Sequence, residues 1–301
     1  MKRISRFVTV VILLFSLSIM QFSMIKADSV EMKSFISFGA DLKPAEKATV
    51  MELLGVTEAD LQNYEVVEIT NQEEHEYLDD YLSANVIGTR ALSSVKVEKG
   101  EEGSGIGVDT ENITYCSSGM YCNALITAGV EDAMITVAGP FKISGTAALV
   151  GVMKSYEIMT GEEISEENAD AATNELVVTG EIGASVGDEE ATNFFALAKQ
   201  KVVEGDLSSE EEISQAVNEA AKSVNIQLTD EQKQKVVVAL DKIKNLNIDT
   251  ESLKEQAKDI YNQIKDMGID TEQVEGFLGK LGSFFSGFLD SVSDFFSNLF
   301  S

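Results

Sequence analysis

The sequence is poor in several residue types, and each scarcity excludes a class of structure or site. Its 301 residues include no tryptophan, two prolines, two cysteines and one histidine. So few prolines argue against an array of β-sandwich modules and favour helices. One histidine cannot build a three-histidine zinc site, and neither Cys-x-x-Cys nor HExxH occurs. We therefore assign no catalytic residues, no metal ligands and no cofactor from the sequence.

Basic residues are also scarce, since 23 Lys and Arg stand against 51 Asp and Glu. Phosphate binding needs clustered Lys and Arg, so the composition excludes a nucleic acid partner. Direct adhesion to anionic teichoic acid or lipid is disfavoured too, unless divalent cations bridge the charges. The simplest role of a net charge of −28 is to keep the protein soluble.

Long apolar runs are absent except near the start of the chain. Three basic residues precede the run Val8–Met20, and Ala27 stands just before an acidic start. This pattern predicts a secretory signal peptide over residues 1–27, because about 13 apolar residues are short for a membrane span. Its removal would leave 19 basic residues and a net charge of −32. We expect a secreted or extracellular protein, which is either free or associated with the cell wall or with the outer face of the membrane. An uncleaved anchor is the alternative.

The part after the signal peptide predicts an α+β domain over residues 28–160. A helix is expected from Pro44 to Leu54, where proline suits the first turn and Gly55 follows the last. The later elements have the order β-α-β-β-α-β, which is the ferredoxin-like arrangement with one antiparallel sheet. They are the strand Tyr64–Thr70, the helix Gln72–Leu82, strands at Val95–Val97 and Val108–Tyr115, a helix from Met120 and the strand Ala133–Ala138.

Two turns define that topology. The glycine-rich segment KGEEGSGIG predicts a hairpin between the second and third of these strands. Gly139-Pro140 is expected to end the fourth strand, and Ser144 to cap the helix that follows.

Residues 161–276 are predicted to be wholly helical. Their helix starts carry recognisable caps, with Ser208 and Glu211 forming one capping box and Thr229 and Gln232 another. Asp249-Thr250 and Asp270-Thr271 begin two further helices.

A long amphipathic helix is predicted over residues 277–301, and its large side chains form one stripe about 36 Å long. The stripe consists of Phe277, Leu281, Phe284, Phe285, Phe288, Leu289, Val292, Phe295, Phe296 and Leu299. So many apolar rings need a cover, since each buried ring contributes about 2 kcal/mol. The protein's own helical bundle, a membrane surface, an unknown envelope protein or a second copy could each provide it.

Two local sites are candidates. Lys142, Ser144, Gly145 and Thr146 stand where a strand leads into a helix, and a helix N-terminus can bind a small anion, although most such starts only cap themselves. Cys116 and Cys122 could form a disulfide outside the cell if Cys116 precedes the helix. The lone histidine, His75, is expected on a solvated helix with no partner for catalysis.

The central strings NALITAGVEDA, VAGPF and SGTAALVGVMKSYE resemble the secreted bacterial family called domain of unknown function 1002, the YpuA type. The segment SFGADLKPAEKATVMELLGV resembles the same family's opening. The resemblance covers roughly Phe35 to Gly205 and implies an exported protein of Gram-positive envelopes with no established activity. It supplies no catalytic residues, and we expect relatives to lack both cysteines.

Together these observations favour a non-catalytic interaction protein of the cell envelope. The alternatives are an envelope hydrolase using a carboxylate pair and a small-anion binding module at Ser144–Thr146. A cleft holding two close carboxylates would favour the hydrolase, and a flat acidic surface the interaction protein.

Overall fold

The computed structural model describes residues 34–101, 103–161 and 163–266, which lie within one compact unit. The predicted signal peptide, the helix start at Asp270-Thr271 and the apolar stripe of residues 277–301 lie outside these ranges. Within them, no helix is both long and apolar enough to cross a bilayer.

A five-stranded mixed sheet forms the centre of the described chain. Its strands, in chain order, are β1 (Phe35–Gly39), β2 (Glu65–Ile69), β3 (Ser94–Lys99), β4 (Ile106–Ile113) and β5 (Ala133–Ile143). Their order across the sheet is β2-β1-β3-β5-β4. The two outer pairs, β1 with β2 and β4 with β5, are parallel, whereas β3 is antiparallel to both of its neighbours.

Ten α-helices accompany the sheet in the described ranges. They are α1 (Pro44–Leu53), α2 (Asn71–Leu78), α3 (Ala84–Ile87), α4 (Ser118–Ala128), α5 (Thr146–Thr160), α6 (Glu166–Val186), α7 (Asp188–Glu204), α8 (Glu210–Ser223), α9 (Asp230–Ile243) and α10 (Thr250–Asp266). The predicted α+β class, with an all-helical C-terminal half, is therefore confirmed as far as residue 266.

The predicted hairpin is wrong, and the ferredoxin-like order is not confirmed. β5 lies between β3 and β4, with Val95 opposite Val137 on one side and Val108 opposite Ile135 on the other. The turn after β3 is held by Asp132, whose carboxylate accepts hydrogen bonds from the backbone N–H groups of two loop glycines at 2.9 Å. These bonds tie the turn to the residue before β5, so β5 enters beside both strands.

The strand end predicted at Gly139-Pro140 is also wrong. β5 continues to Ile143, and the pair lies at an irregularity where the register with β4 shifts between Glu111 and Ile113. The side-chain amide of Asn112 donates to the carbonyl of Gly139 at 3.1 Å. A bulge of this kind accommodates proline because no ladder N–H is needed there.

The sheet and the helices form two main cores that meet at α6. Leu176 and Val177 pack into the sheet core, whereas Val178 and Ile182 pack into the helical core. A smaller cluster on the opposite sheet face joins β1 to α1 through Phe38 and other apolar residues. Since α6 contributes to both main cores, the helical half is packed directly on the α+β half.

The capping boxes show how local the helix signals are. Thr229 and Gln232 form the predicted box at the start of α9. The box before α8 is one residue later than predicted, because the Ser209 hydroxyl accepts from the N–H of Glu212 and the Glu212 carboxylate accepts from Ser209. Two adjacent serines followed by three glutamates allow either register, and the structure adopts the second.

Candidate functional site

A groove of about 570 Å³ lies between the end of the sheet and the helical half. This volume is within the range of small-molecule sites. Strand β4 contributes Ile106, Val108 and Thr110. Helix α4 contributes Ser118, Gly119, Cys122 and Ile126, and its N-cap residue is Ser117. The start of α7 contributes Asp188, Glu189, Thr192 and Asn193, and α10 contributes Ser252, Glu255, Gln256, Asp259 and Ile260.

The groove is acidic. Four of its side chains are the exposed carboxylates Asp188, Glu189, Glu255 and Asp259, and none of its lining residues in the described chain is Lys or Arg. Partial burial and the neighbouring charge of Glu255 raise the pKa of Asp259. The negative potential therefore favours a cationic ligand.

Close helix packing shapes one end of the groove. Ser117 caps α4, and its hydroxyl accepts a hydrogen bond from the N–H of Met120 at 3.3 Å. Just inside the helix, a β-carbon on Gly119 would lie 2.4 Å from the methyl group of Thr192 on α7. Glycine thus allows α4 and α7 to approach closely enough to form this wall.

A buried polar network lies beneath the groove. Lys199 of α7 and Glu175 of α6 are both fully buried, with 3.0 Å between Nζ and Oε1. Lys199 also donates to the carbonyl of Asn123 at 2.7 Å and to the hydroxyl of Thr127 at 3.0 Å, and that hydroxyl donates to Glu175. Burial raises the pKa of Glu175, which the Lys199 charge opposes. The network ties α4, α6 and α7 together.

Gln256 connects this network to the groove. Its side-chain amide donates to Oδ1 of Asn123 at 2.5 Å, and Nδ2 of Asn123 donates to the carbonyl of Thr192 at 3.1 Å. The side-chain carbonyl oxygen of Gln256 has no hydrogen-bond partner in the part of the chain that the structure describes. This side-chain oxygen, Oε1, is buried beside the groove.

Sequence reasoning did not identify this network, although one signal was present. Lys199 follows Phe195 by four residues, so it falls on the apolar face of α7. A lysine on such a face either extends its amine to solvent or needs a buried partner. Its partner Glu175 lies on a different helix, which only the fold reveals.

The predicted Cys116–Cys122 disulfide is not formed in the structure, where both residues are free thiols. Cys116 does precede the helix, as the bond requires, but it is buried in the sheet core. Cys122 packs against the helical core, and its sulfur lies 3.7 Å from the carbonyl of Ile106. Burial raises the pKa of Cys116 to about 12 and that of Cys122 to about 11, so both stay protonated at neutral pH.

The residues of the candidate anion site lie at the start of α5, where the buried carboxyl group of Glu74 contacts them. Ser144 does not cap the helix as predicted; the N-cap is Gly145, at φ +101°. The Thr146 hydroxyl lies 3.2 Å from that of Ser144 and donates at 2.8 Å to Glu74, a residue only 1% exposed. Lys142 is exposed on β5. Small-anion binding here stays a prediction, and the buried Glu74 already provides a carboxyl group at this helix start.

Glu74→Gln is expected to change how stability depends on pH. Burial raises the pKa of Glu74, so the folded state favours the protonated carboxyl. Its stabilising contribution is complete below the unfolded pKa and is lost as pH rises through the folded pKa. As pH rises from about 4 through the folded pKa of Glu74, the free energy of unfolding of the variant should therefore increase relative to that of the wild type, as measured by urea unfolding.

Glu73→Gln is the matched control with the opposite sign. Burial acts to raise the pKa of Glu73, but hydrogen bonds from Lys154 and Thr70 leave it lowered. Its stabilising contribution is thus present at neutral pH and lost in acid, so Glu73→Gln should be destabilised at pH 7 and approach the wild type near pH 3. If the free energy of unfolding of both variants changed with pH in the same way, the directions given for the pKa shifts of Glu74 and Glu73 would be contradicted.

His75 lies on α2 and does not line the groove. Its Nδ1 is 2.6 Å from Asp79, and its Nε2 is 3.2 Å from the carbonyl of Gly88. The hydrogen bond with Asp79 raises the histidine pKa. Both ring nitrogens are therefore engaged locally.

Comparisons with known proteins agree with the resemblance seen in the sequence. The family model described as a protein of unknown function, DUF1002, matches residues 38–260. The Bacillus subtilis (strain 168) protein named "Uncharacterized protein YpuA" is 36% identical over 271 residues, covering 90% of this chain and 92% of the relative. No solved structure matches. All the groove residues lie inside the family match, whereas residues 277–301 lie beyond it.

Proposed function

We propose that this chain, which belongs to the DUF1002 family of proteins of unknown function, acts by binding rather than by catalysis. It is a secreted or cell-envelope-associated protein, and the acidic groove is its main contact surface. The observation that carries this proposal is the groove itself: about 570 Å³ lined by four exposed carboxylates.

The chemical state of the groove supports binding over nucleophilic catalysis. Cys122 is its thiol, and burial raises the pKa of that group to about 11, far from the range of a reactive thiolate. The chain's one histidine lies elsewhere, engaged with Asp79 and Gly88. The groove carboxylates are exposed, which suits contacts with a charged partner more than proton transfer in a dry site.

A hydrolase is the second candidate, because the acidic residues line a groove rather than a flat surface. Glu255 and Asp259 are one helical turn apart, and partial burial together with the Glu255 charge raises the pKa of Asp259, which is the direction a general acid needs. Asp259→Asn should abolish release of wall fragments if this candidate is correct. If neither the wild type nor the variant releases wall fragments, and the wild type still captures an envelope ligand, the binding role is supported.

The predicted apolar stripe is proposed as a second contact surface. Its phenylalanines would hold an envelope protein or a membrane surface, and self-association is the remaining possibility. Deletion of residues 277–301 should then remove flotation with liposomes and leave the groove intact. A full-length protein that floats as little as the truncated one would contradict the membrane version.

Capture from cell-envelope fractions tests the groove. The double variant Glu255→Lys/Asp259→Lys should retain less than a tenth of the ligand captured by the wild type, because reversing two of the four carboxylate charges leaves the groove with no net charge. Glu65→Lys/Glu68→Lys is the matched control, since it makes the same charge change on exposed positions of β2. The proposal would be contradicted if the groove variant captured as much ligand as the wild type, or if the β2 control lost as much as the groove variant.

A further inference from the structure

We infer that the groove takes an extended cationic peptide, which adds to the sheet as a sixth strand along β4. This inference rests on the proposed function and names the chemical class of its partner. It is carried by three observations: the position of β4 in the sheet, the alternation of its side chains and the charges around it.

Strand β4 is the last strand of the sheet, and among the described residues it pairs with β5 alone. Every second residue of such an edge strand directs its N–H and C=O groups outward, where a further strand can pair with them. The first six of the eight residues of β4, Ile106–Glu111, precede the irregularity at Asn112 and give a regular edge about 20 Å long. That length suits a peptide segment of similar size.

The side chains of β4 give the added strand two different surroundings. Ile106, Val108 and Thr110 line the groove, whereas the alternating residues Asp109 and Glu111 are exposed. Side chains of a neighbouring strand alternate in the same way. One row of a bound peptide would therefore enter the groove, and the other row would lie beside two exposed acids.

Charge decides which strand can bind there. The row that enters the groove meets Glu255 and Asp259, and the other row meets Asp109 and Glu111. Opposite charges on adjacent strands stabilise a sheet and like charges destabilise it. Lys or Arg on both rows is favoured, because both sides of the edge are acidic.

The same charges disfavour a second copy of the chain. Pairing of β4 with another β4 would bring the acids of the two strands together, and the whole chain has a net charge of −28. The opposite edge strand β2 is a weaker acceptor, because none of its five residues lines the groove. β2 therefore provides the internal control for edge binding.

The test is calorimetric titration of the full mature protein with the eight-residue peptide Lys-Lys-Val-Val-Lys-Lys-Val-Val, which places Lys on both rows of an added strand. Two further peptides carry N-methyl groups on one or the other set of alternate amides, which removes backbone donors without changing charge. We expect one methylated peptide to lose at least tenfold in affinity and the other to bind within threefold of the parent. The protein is unchanged in this comparison, so folding cannot confuse it.

Variants of the protein complete the test. Glu255→Lys/Asp259→Lys should weaken the parent peptide at least tenfold, and Glu65→Lys/Glu68→Lys on β2 should stay within twofold. Equal affinity of all three peptides would mean contact by charge alone and would overturn strand addition. If sedimentation shows that the wild type is a dimer and the variant Asp109→Lys/Glu111→Lys is a monomer, the edge of β4 belongs to a second copy. That result would also overturn the addition of a peptide strand.

The two proposals fail in different ways. If the groove variant loses an envelope ligand while the wild type binds none of the three peptides, the groove is a binding site and the peptide inference is wrong. If the peptide binds with the expected methylation pattern, the inference stands whatever the envelope capture shows.

Discussion

Lys199→Met is expected to lower the free energy of unfolding by about 3–5 kcal/mol. Lys199 and Glu175 are fully buried, so the variant leaves a carboxylate in the interior without its cation. The variant also removes the donor to the carbonyl of Asn123 and one donor to Thr127. Urea unfolding at pH 7, followed by circular dichroism, measures the change.

Two controls separate the buried charge from the lost packing. The double variant Lys199→Met/Glu175→Met should recover most of the loss, because two apolar side chains often replace a buried ion pair at little cost. Lys235→Met removes a pair with Glu181 in which both side chains are over 40% exposed, and it should cost less than about 1 kcal/mol. Equal effects of Lys199→Met and Lys235→Met would show that the interior pair is not desolvated.

Phe194→Ala is expected to cost about 3–5 kcal/mol through the cavity it leaves. Phe194 is fully buried in the helical core and packs edge to face on Phe195, with ring centroids 6.5 Å apart. Neighbouring helices can close only part of that space, because their backbones are held by other contacts. Thermal and urea unfolding should both show the loss.

Val238→Ala on α9 is the control for general effects of truncating an apolar side chain. Val238 is 47% exposed, so its replacement should change the free energy of unfolding by less than about 0.5 kcal/mol. A comparable loss in both variants would mean that the helical core is not packed as described.

Helix starts and strand positions could be predicted because their signals are local. The box of Thr229 and Gln232 needs only four consecutive residues, and its hydrogen bonds form wherever the helix lies. The one-residue error at Ser209 has the same origin, since two adjacent serines carry equal local signals. The strand β1 was not predicted, because FISFG is too short for its pattern to distinguish it from a loop.

The candidate site was much less predictable. Cys122, Gln256 and Lys199 lie on three different helices, and no spacing along the chain relates them. The predicted anion residues did come together at one helix start, because they are adjacent in the chain. The sequence did not indicate that the carboxyl group of Glu74, 72 residues before Thr146, accepts a hydrogen bond from Thr146 at this helix start.

The sequence by itself determined the acidic character through composition, and the family through strings that resemble it. It also determined the α+β class and most helix starts, because their signals lie within single elements. The tertiary structure alone decided that β5 separates β3 from β4, and that Cys116 and Cys122 enter different cores. It also decided that β4 forms the edge beside an acidic groove. These features depend on which distant segments pack together, and that choice minimises exposed apolar area over the whole chain rather than within any local pattern.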